Sequence, residues 1–299
     1  MTQQQRQALD DLLRHGPLDL GGDVTEQRAI FHEMMTSVPL PDDVSTKQDE
    51  LGGVPVVIVE TPDLDPSAVI LYLHGGAYAV GTAAELVGLA SDVARRAGAR
   101  AVSVDYRLAP EHQFPAALDD ALAAYRGLLD TGVPAERIAF VGESAGGGLV
   151  VATLVAARDA GLPLPAAAAV FSPWADLTAS GASVTGKAAL DPALTPQALH
   201  VRARDYLGDR DLATPLASPI FADLTGLPPL LIQAGTHEIL LDDAIRLAGR
   251  AAEHDVQVEL QVWPGVPHVF QSFAVMLDEA QEALDSAGAF VKRHWSEKV

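Results

Sequence analysis

The stretch that decides the reading is Ile138-Ala139-Phe140-Val141-Gly142-Glu143-Ser144-Ala145-Gly146-Gly147-Gly148. Four apolar residues predict a buried strand, and the small residues after Ser144 open a helical run. Between them lies G-x-S-x-G in the strand–turn–helix setting that lifts a serine hydroxyl off the end of a sheet. A turn this sharp leaves no room for side chains at 142 and 146, so glycine stands at both. Ser144 is the candidate nucleophile. The amide of Ala145 begins the next helix, whose N-terminus favours negative charge. Gly147 and Gly148 let that helix pack close to the strands.

Working outward, the same grammar recurs. Apolar or β-branched runs at 55–60, 68–73, 101–104, 167–171 and 230–233, with an alternating run at 256–262, read as strands. Helical periodicity covers 84–97, 115–129, 145–160, 242–254 and 276–292. Strand and helix alternate, which predicts an α/β fold: a mostly parallel sheet with helices on both faces. Two regions stand apart. The first forty residues carry helical patterns, with Leu9, Leu12 and Leu13 on one face and Ile30, Phe31, Met34, Met35 and Val38 on another. His15-Gly16-Pro17 separates the two. Residues 176–218 offer no good strand and one helical piece at 196–207. We therefore expect a catalytic domain of 46–175 and 218–299, with 1–45 and 176–217 forming a helical cap over the sheet edge where such folds bind ligands.

Other strand ends supply the remaining chemistry. His74-Gly75-Gly76-Ala77 follows a strand, and its glycines expose consecutive amides. With Ala145, the amides of Gly75 and Gly76 would surround the oxygen that turns negative when an acyl carbonyl is attacked. In a sheet of this kind the relay runs Ser, acid, His along the chain. His268 lies in the loop after the last strand and is the candidate base. Glu238 follows the preceding strand directly and is the favoured acid; Asp242, one turn on, is the alternative. Phe31, Met34 and Met35 would line a substrate tunnel or pack on the core, and Trp174 would floor the pocket or belong to the core.

Composition limits the partners. The chain has 299 residues, 40 acidic against 20 basic, and a formal net charge of -20. That field repels phosphate backbones and anionic lipid surfaces, so nucleic acid is a poor partner. Hydrophobic residues make up 48 %, enough for a large core, and there is no cysteine. Thiolate metal sites and disulfides are thereby excluded. Neither a secretory signal nor an apolar run of membrane-spanning length is visible. These features predict a cytoplasmic protein that does not insert into membranes.

Taken together, His74-Gly75-Gly76-Ala77, Asp105-Tyr106-Arg107-Leu108-Ala109-Pro110-Glu111, Gly142-Glu143-Ser144-Ala145-Gly146-Gly147 and Ser172-Pro173-Trp174 resemble the hormone-sensitive-lipase-like (family IV) bacterial esterases of the α/β-hydrolase fold. The segment 237–243 also resembles the branch with monoterpene ε-lactone hydrolases. The resemblance implies hydrolysis of short- to medium-chain acyl esters, with lactone or amide hydrolysis as the alternative on the same site. It carries the nucleophile to Ser144, the base to His268, the acid to Glu238 and the oxyanion donors to Gly75, Gly76 and Ala145. It implies no metal and no cofactor, a small-molecule ester as substrate, and a homodimer through the last strand. Arg107 and Glu111 would brace a loop rather than take part in chemistry. A non-catalytic small-molecule receptor on the same fold is a remote third reading.

Overall fold

The computed structural model describes residues 2–295. An eight-stranded sheet runs β1-β2-β4-β3-β5-β6-β7-β8, where β1 is Ser45–Leu51, β2 Val54–Glu60, β3 Asp65–Leu73, β4 Ala99–Val104, β5 Ile138–Glu143, β6 Ala167–Phe171, β7 Leu230–His237 and β8 Val258–Pro267. Strand β2 is antiparallel to both neighbours, and every pairing from β4 to β8 is parallel.

The period of two along each strand divides the core into two layers. In β3, Val69, Leu71 and Leu73 face one layer, while Ala68, Ile70 and Tyr72 face the other. The first layer holds the buried sides of α4 (Ala116–Asp130), α5 (Ala145–Asp159) and α8 (Leu241–Glu253); the second holds those of α3 (Val87–Ala97) and α9 (Asp278–His294). A strand covered on both faces needs apolar residues at every position, which is why β3, β5 and β6 read as unbroken apolar runs.

Helices α1 (Thr2–Arg14), α2 (Val24–Thr36), α6 (Ala182–Gly186) and α7 (Pro196–Leu207) belong to the two segments set apart by sequence. Those segments touch each other: Arg202 donates to Gly22 O at 2.5 Å, and Arg14 donates to Leu190 O at 2.9 Å. They are also tied to the sheet domain. Arg28 on α2 donates to the carbonyls of Ala79 and Ala109 at 2.8 and 2.9 Å and pairs with Glu111.

Several details depart from the sequence reading. Strand β1 was not expected, because STKQDEL has no apolar face; it is an edge strand held by its ladder to β2 and exposed except at Leu51. Strand β8 lies later and runs longer than 256–262, since pairing with β7 continues past Trp263 to Pro267. Helical spacing placed Leu12 and Val38 on buried faces, yet they are 53 % and 65 % exposed. Val38 lies beyond the end of α2, and Leu12 sits on the outer flank of an apolar stripe that Leu9 alone buries fully. The short helix α6 has too few residues for a periodicity to show.

Candidate active site

The turn from β5 to α5 places Ser144 at φ 54° and ψ -122°, a backbone region that costs an L-residue on the order of 1–3 kcal/mol. Surrounding backbone enforces it. A Cβ on Gly146 would meet Leu73 O at 2.0 Å, and one on Gly142 would meet Gly146 O at 2.6 Å. Ser144 O accepts the amides of Gly148 and Trp174 at 3.1 and 2.9 Å. The hydroxyl is thereby aimed outward by contacts that do not involve it.

Three strand ends converge on that hydroxyl. His268 Nε2 lies 2.9 Å from Ser144 Oγ, and His268 Nδ1 lies 2.7 Å from Glu238 Oε2. Glu238 is fully buried and His268 is 9 % exposed. The second oxygen of Glu238 accepts the Gly235 amide at 2.6 Å and the Ser172 hydroxyl at 3.1 Å. Ser172 Oγ accepts in turn from Val269 N at 3.0 Å, locking the residue after the imidazole to the acid's partner. Asp242, the alternative acid, does not join this chain. It lies in the first turn of α8, where its carboxylate accepts the Ser183 amide at 2.9 Å.

The glycine loop differs from expectation by one residue. The Gly75 amide donates to Glu143 Oε1 at 2.6 Å, so it is not free to bind a substrate oxygen. Among the described residues, the amides of Gly76, Ala77 and Ala145 have no acceptor. Successive positive φ values at Gly76, Ala77 and Tyr78, 106°, 54° and 59°, curl this loop. It is bolted from behind: Tyr106 Oη donates to His74 O at 2.6 Å, Ala109 N donates to Tyr78 O at 2.8 Å, and the His74 and Tyr106 rings stack 4.2 Å apart. That is the work of the segment 105–111. As expected, Arg107 and Glu111 stand outside the relay: Arg107 pairs with Asp120 on α4, and Arg28 holds the Glu111 carboxyl down at about 2.

Of the candidate pocket residues, Phe31 is 9 % exposed and packs with Ala79 and Val80, and the partly buried Met35 leans on the same group. Met34 is half-buried. Trp174 is 1 % exposed and lies in the core beside Tyr78, 6.1 Å between rings, so the core reading is the one realised.

Sequence reasoning passed over Glu143, the x of G-x-S-x-G. It is buried, accepts from Tyr72 Oη at 2.5 Å as well as from Gly75, and is pushed up by burial to about 7. Hydrogen bonds from Tyr72 and Gly75 and the nearby His268 pull the other way without winning. Between about pH 4.5 and 7 the unfolded chain ionises this group while the folded chain keeps it protonated. Stability contributed by Glu143 is thus fully present below pH 4.5 and is lost as pH rises through 7. Glu143→Gln removes that dependence. Its unfolding free energy relative to wild type should rise by about 3 kcal/mol from pH 4.5 to pH 8. Urea unfolding at the two pH values reads this; a difference independent of pH would refute it.

The strand order, the strained serine turn and the deployment of loops at one sheet edge define an α/β hydrolase. Comparison with known proteins agrees. The family described as alpha/beta hydrolase fold matches residues 70–272. An acetyl-hydrolase from Streptomyces hygroscopicus is 48 % identical over 223 residues, 75 % of each chain. An ethyl acetate hydrolase from Pseudomonas putida is 33 % identical over 253 residues, covering 81 % of this chain and 79 % of that one. A crystal structure of an esterase from the bacterial hormone-sensitive lipase family superposes with a TM-score of 0.95 at 42 % identity, covering 98 % of this chain and 99 % of the other. The chain belongs to the α/β-hydrolase-fold family and, within it, to the hormone-sensitive-lipase-like esterases.

Proposed function

We propose that this protein hydrolyses carboxylic esters of short to medium acyl chains through a serine acyl-enzyme, with Ser144 as nucleophile, His268 as base and Glu238 as its orienting acid. The observation that carries this is the unbroken chain of 2.9 and 2.7 Å contacts linking the three side chains. Ser144 Oγ attacks the ester carbonyl carbon as its proton passes to His268 Nε2. Glu238 keeps the proton on Nδ1 and stabilises the imidazolium. The tetrahedral oxyanion is held by the free amides of Gly76, Ala77 and Ala145 in place of the Gly75–Gly76–Ala145 set expected from sequence. His268 then protonates the departing alcohol, the carbonyl re-forms, and water repeats the sequence on the acyl-enzyme.

The acetyl-hydrolase and ethyl acetate hydrolase among the relatives support the short-acyl end of this range. Residues 1–45 and 176–217 serve as a cap in this reading: Phe31 packs on the oxyanion loop, and the second segment reaches the loop that carries Glu238. Sheet edge β8 presents Leu260 and Val262, 38 % and 41 % exposed, as a surface for a homodimer, which sedimentation velocity would detect. A cytoplasmic location belongs to the proposal, in keeping with a chain that has no cysteine to oxidise. Among the described residues no helix is long and apolar enough to cross a membrane.

Matched p-nitrophenyl esters from acetate to laurate, an ε-lactone and an anilide separate the substrate classes. The expected order of kcat/KM is acetate and butyrate first, laurate and anilide lowest. A lactone exceeding every ester would move the assignment to lactone hydrolysis.

A further inference from the structure

A carboxylate from the 176–217 segment grips the backbone beside the relay's acid. Asp191 is 5 % exposed, which is unusual for an aspartate and costly unless its oxygens are satisfied. They are. Oδ1 accepts the amides of Ala193 and Leu194 at 2.8 and 2.9 Å, and Oδ2 accepts the amide of Ile239 at 2.8 Å. The Ile239 amide belongs to the peptide immediately after Glu238, so this carboxylate grips the backbone of the acid-bearing loop. The same segment holds the other end of that residue. Ser183 Oγ donates to Ile239 O at 2.6 Å and accepts the Asp242 amide at 2.9 Å. Ile239, fully buried, is thus clasped at both its N–H and its C=O by groups outside the sheet domain.

We propose that Asp191 is a positioning residue of the relay: it fixes the Glu238 loop through Ile239 and holds a further negative charge in the field of His268, favouring the imidazolium that forms when Ser144 attacks. This rests on the Ser144–His268–Glu238 reading. Three acidic side chains from three elements face His268: Glu238 by direct contact, Asp191 from the insertion through its field, and Glu143 from β5, which stays protonated and uncharged up to about pH 7. Burial pushes the Asp191 carboxyl up, and the charge of His268 and the three amides pull it back. Because the two groups interact, each must favour the charged form of the other. The insertion therefore does more than cover the site, since an open or displaced segment would take this charge away.

Asp191→Asn keeps the size of the side chain and an oxygen for Ala193 and Leu194 while removing the charge. With p-nitrophenyl butyrate, kcat is expected to fall about tenfold with KM within about twofold. The acid limb of the kcat/KM profile should move to lower pH by about half a unit or more, because the protonated imidazole has lost a stabilising charge. Ser183→Ala releases the other grip on Ile239 without altering charge; it should lower kcat and leave the limb in place. If the asparagine variant does not fold, Asp191→Ser removes the charge with a short acceptor retained and is read the same way. An acid limb unmoved from wild type, or an effect confined to KM, would overturn the proposal. Labelling of wild-type Ser144 by a fluorophosphonate separates the two levels: no label sinks the relay itself, whereas a label with an unmoved limb sinks only the role of Asp191.

Discussion

Ser144→Ala is expected to fold normally and to lose turnover by a factor on the order of 10³ to 10⁶. The fold is preserved because nothing in the turn leans on the hydroxyl. Gly142 and Gly146 make room for the backbone, and Ser144 O takes the amides of Gly148 and Trp174 whatever the side chain is. The hydroxyl's side-chain partner is His268 Nε2, so removing it forfeits one hydrogen bond of about 1 kcal/mol and changes the unfolding temperature little. Turnover collapses because, among the described residues, Ser144 Oγ is the hydroxyl hydrogen-bonded to His268 Nε2, where the imidazole takes its proton. Hydrolysis of p-nitrophenyl butyrate, measured beside a thermal melt, decides the matter. A well-folded variant that kept a tenth of wild-type kcat would end the serine assignment.

A comparably large effect is expected at Glu238, with Asp242 as its internal control. Glu238→Gln keeps the shape of the side chain and an oxygen for the Gly235 amide, but withdraws the charge 2.7 Å from His268 Nδ1. The imidazole loses what holds its proton on that nitrogen, and the imidazolium loses its counter-charge. A fall in kcat of about 10² to 10⁴ follows from the cost of upsetting that tautomer. Asp242→Asn should stay within about threefold of wild type, because its carboxylate is engaged with the Ser183 amide and the start of α8. It should instead cost stability, on the order of 1 kcal/mol. Reversal of the two kinetic losses would transfer the acid role to Asp242.

Much of this site was legible because its main signals are steric and local. Gly142 and Gly146 announce a turn that admits no side chain, and the apolar run before them announces a strand buried on both faces. Each parallel strand ends at the same sheet edge, so residues just past strand ends, such as Ser144, Glu238 and His268, are brought together by topology alone. Strand β1 escaped notice for the converse reason: its residues pair through the backbone at an edge and bury almost nothing, leaving no apolar pattern to find.

Ser144, His268 and the alternation of strand and helix could thus be read from residue order, since backbone sterics and hydrophobic period act over a few neighbours at a time. The contact that seats Glu238 against His268, the spending of the Gly75 amide on Glu143 and the grip of Asp191 on Ile239 could not. Each depends on which buried polar atom meets which partner, across separations of 30, 68 and 48 residues. A hydrogen bond is decided within a few tenths of an ångström, and only the packing of the whole sheet, with its insertion in place, sets distances that finely.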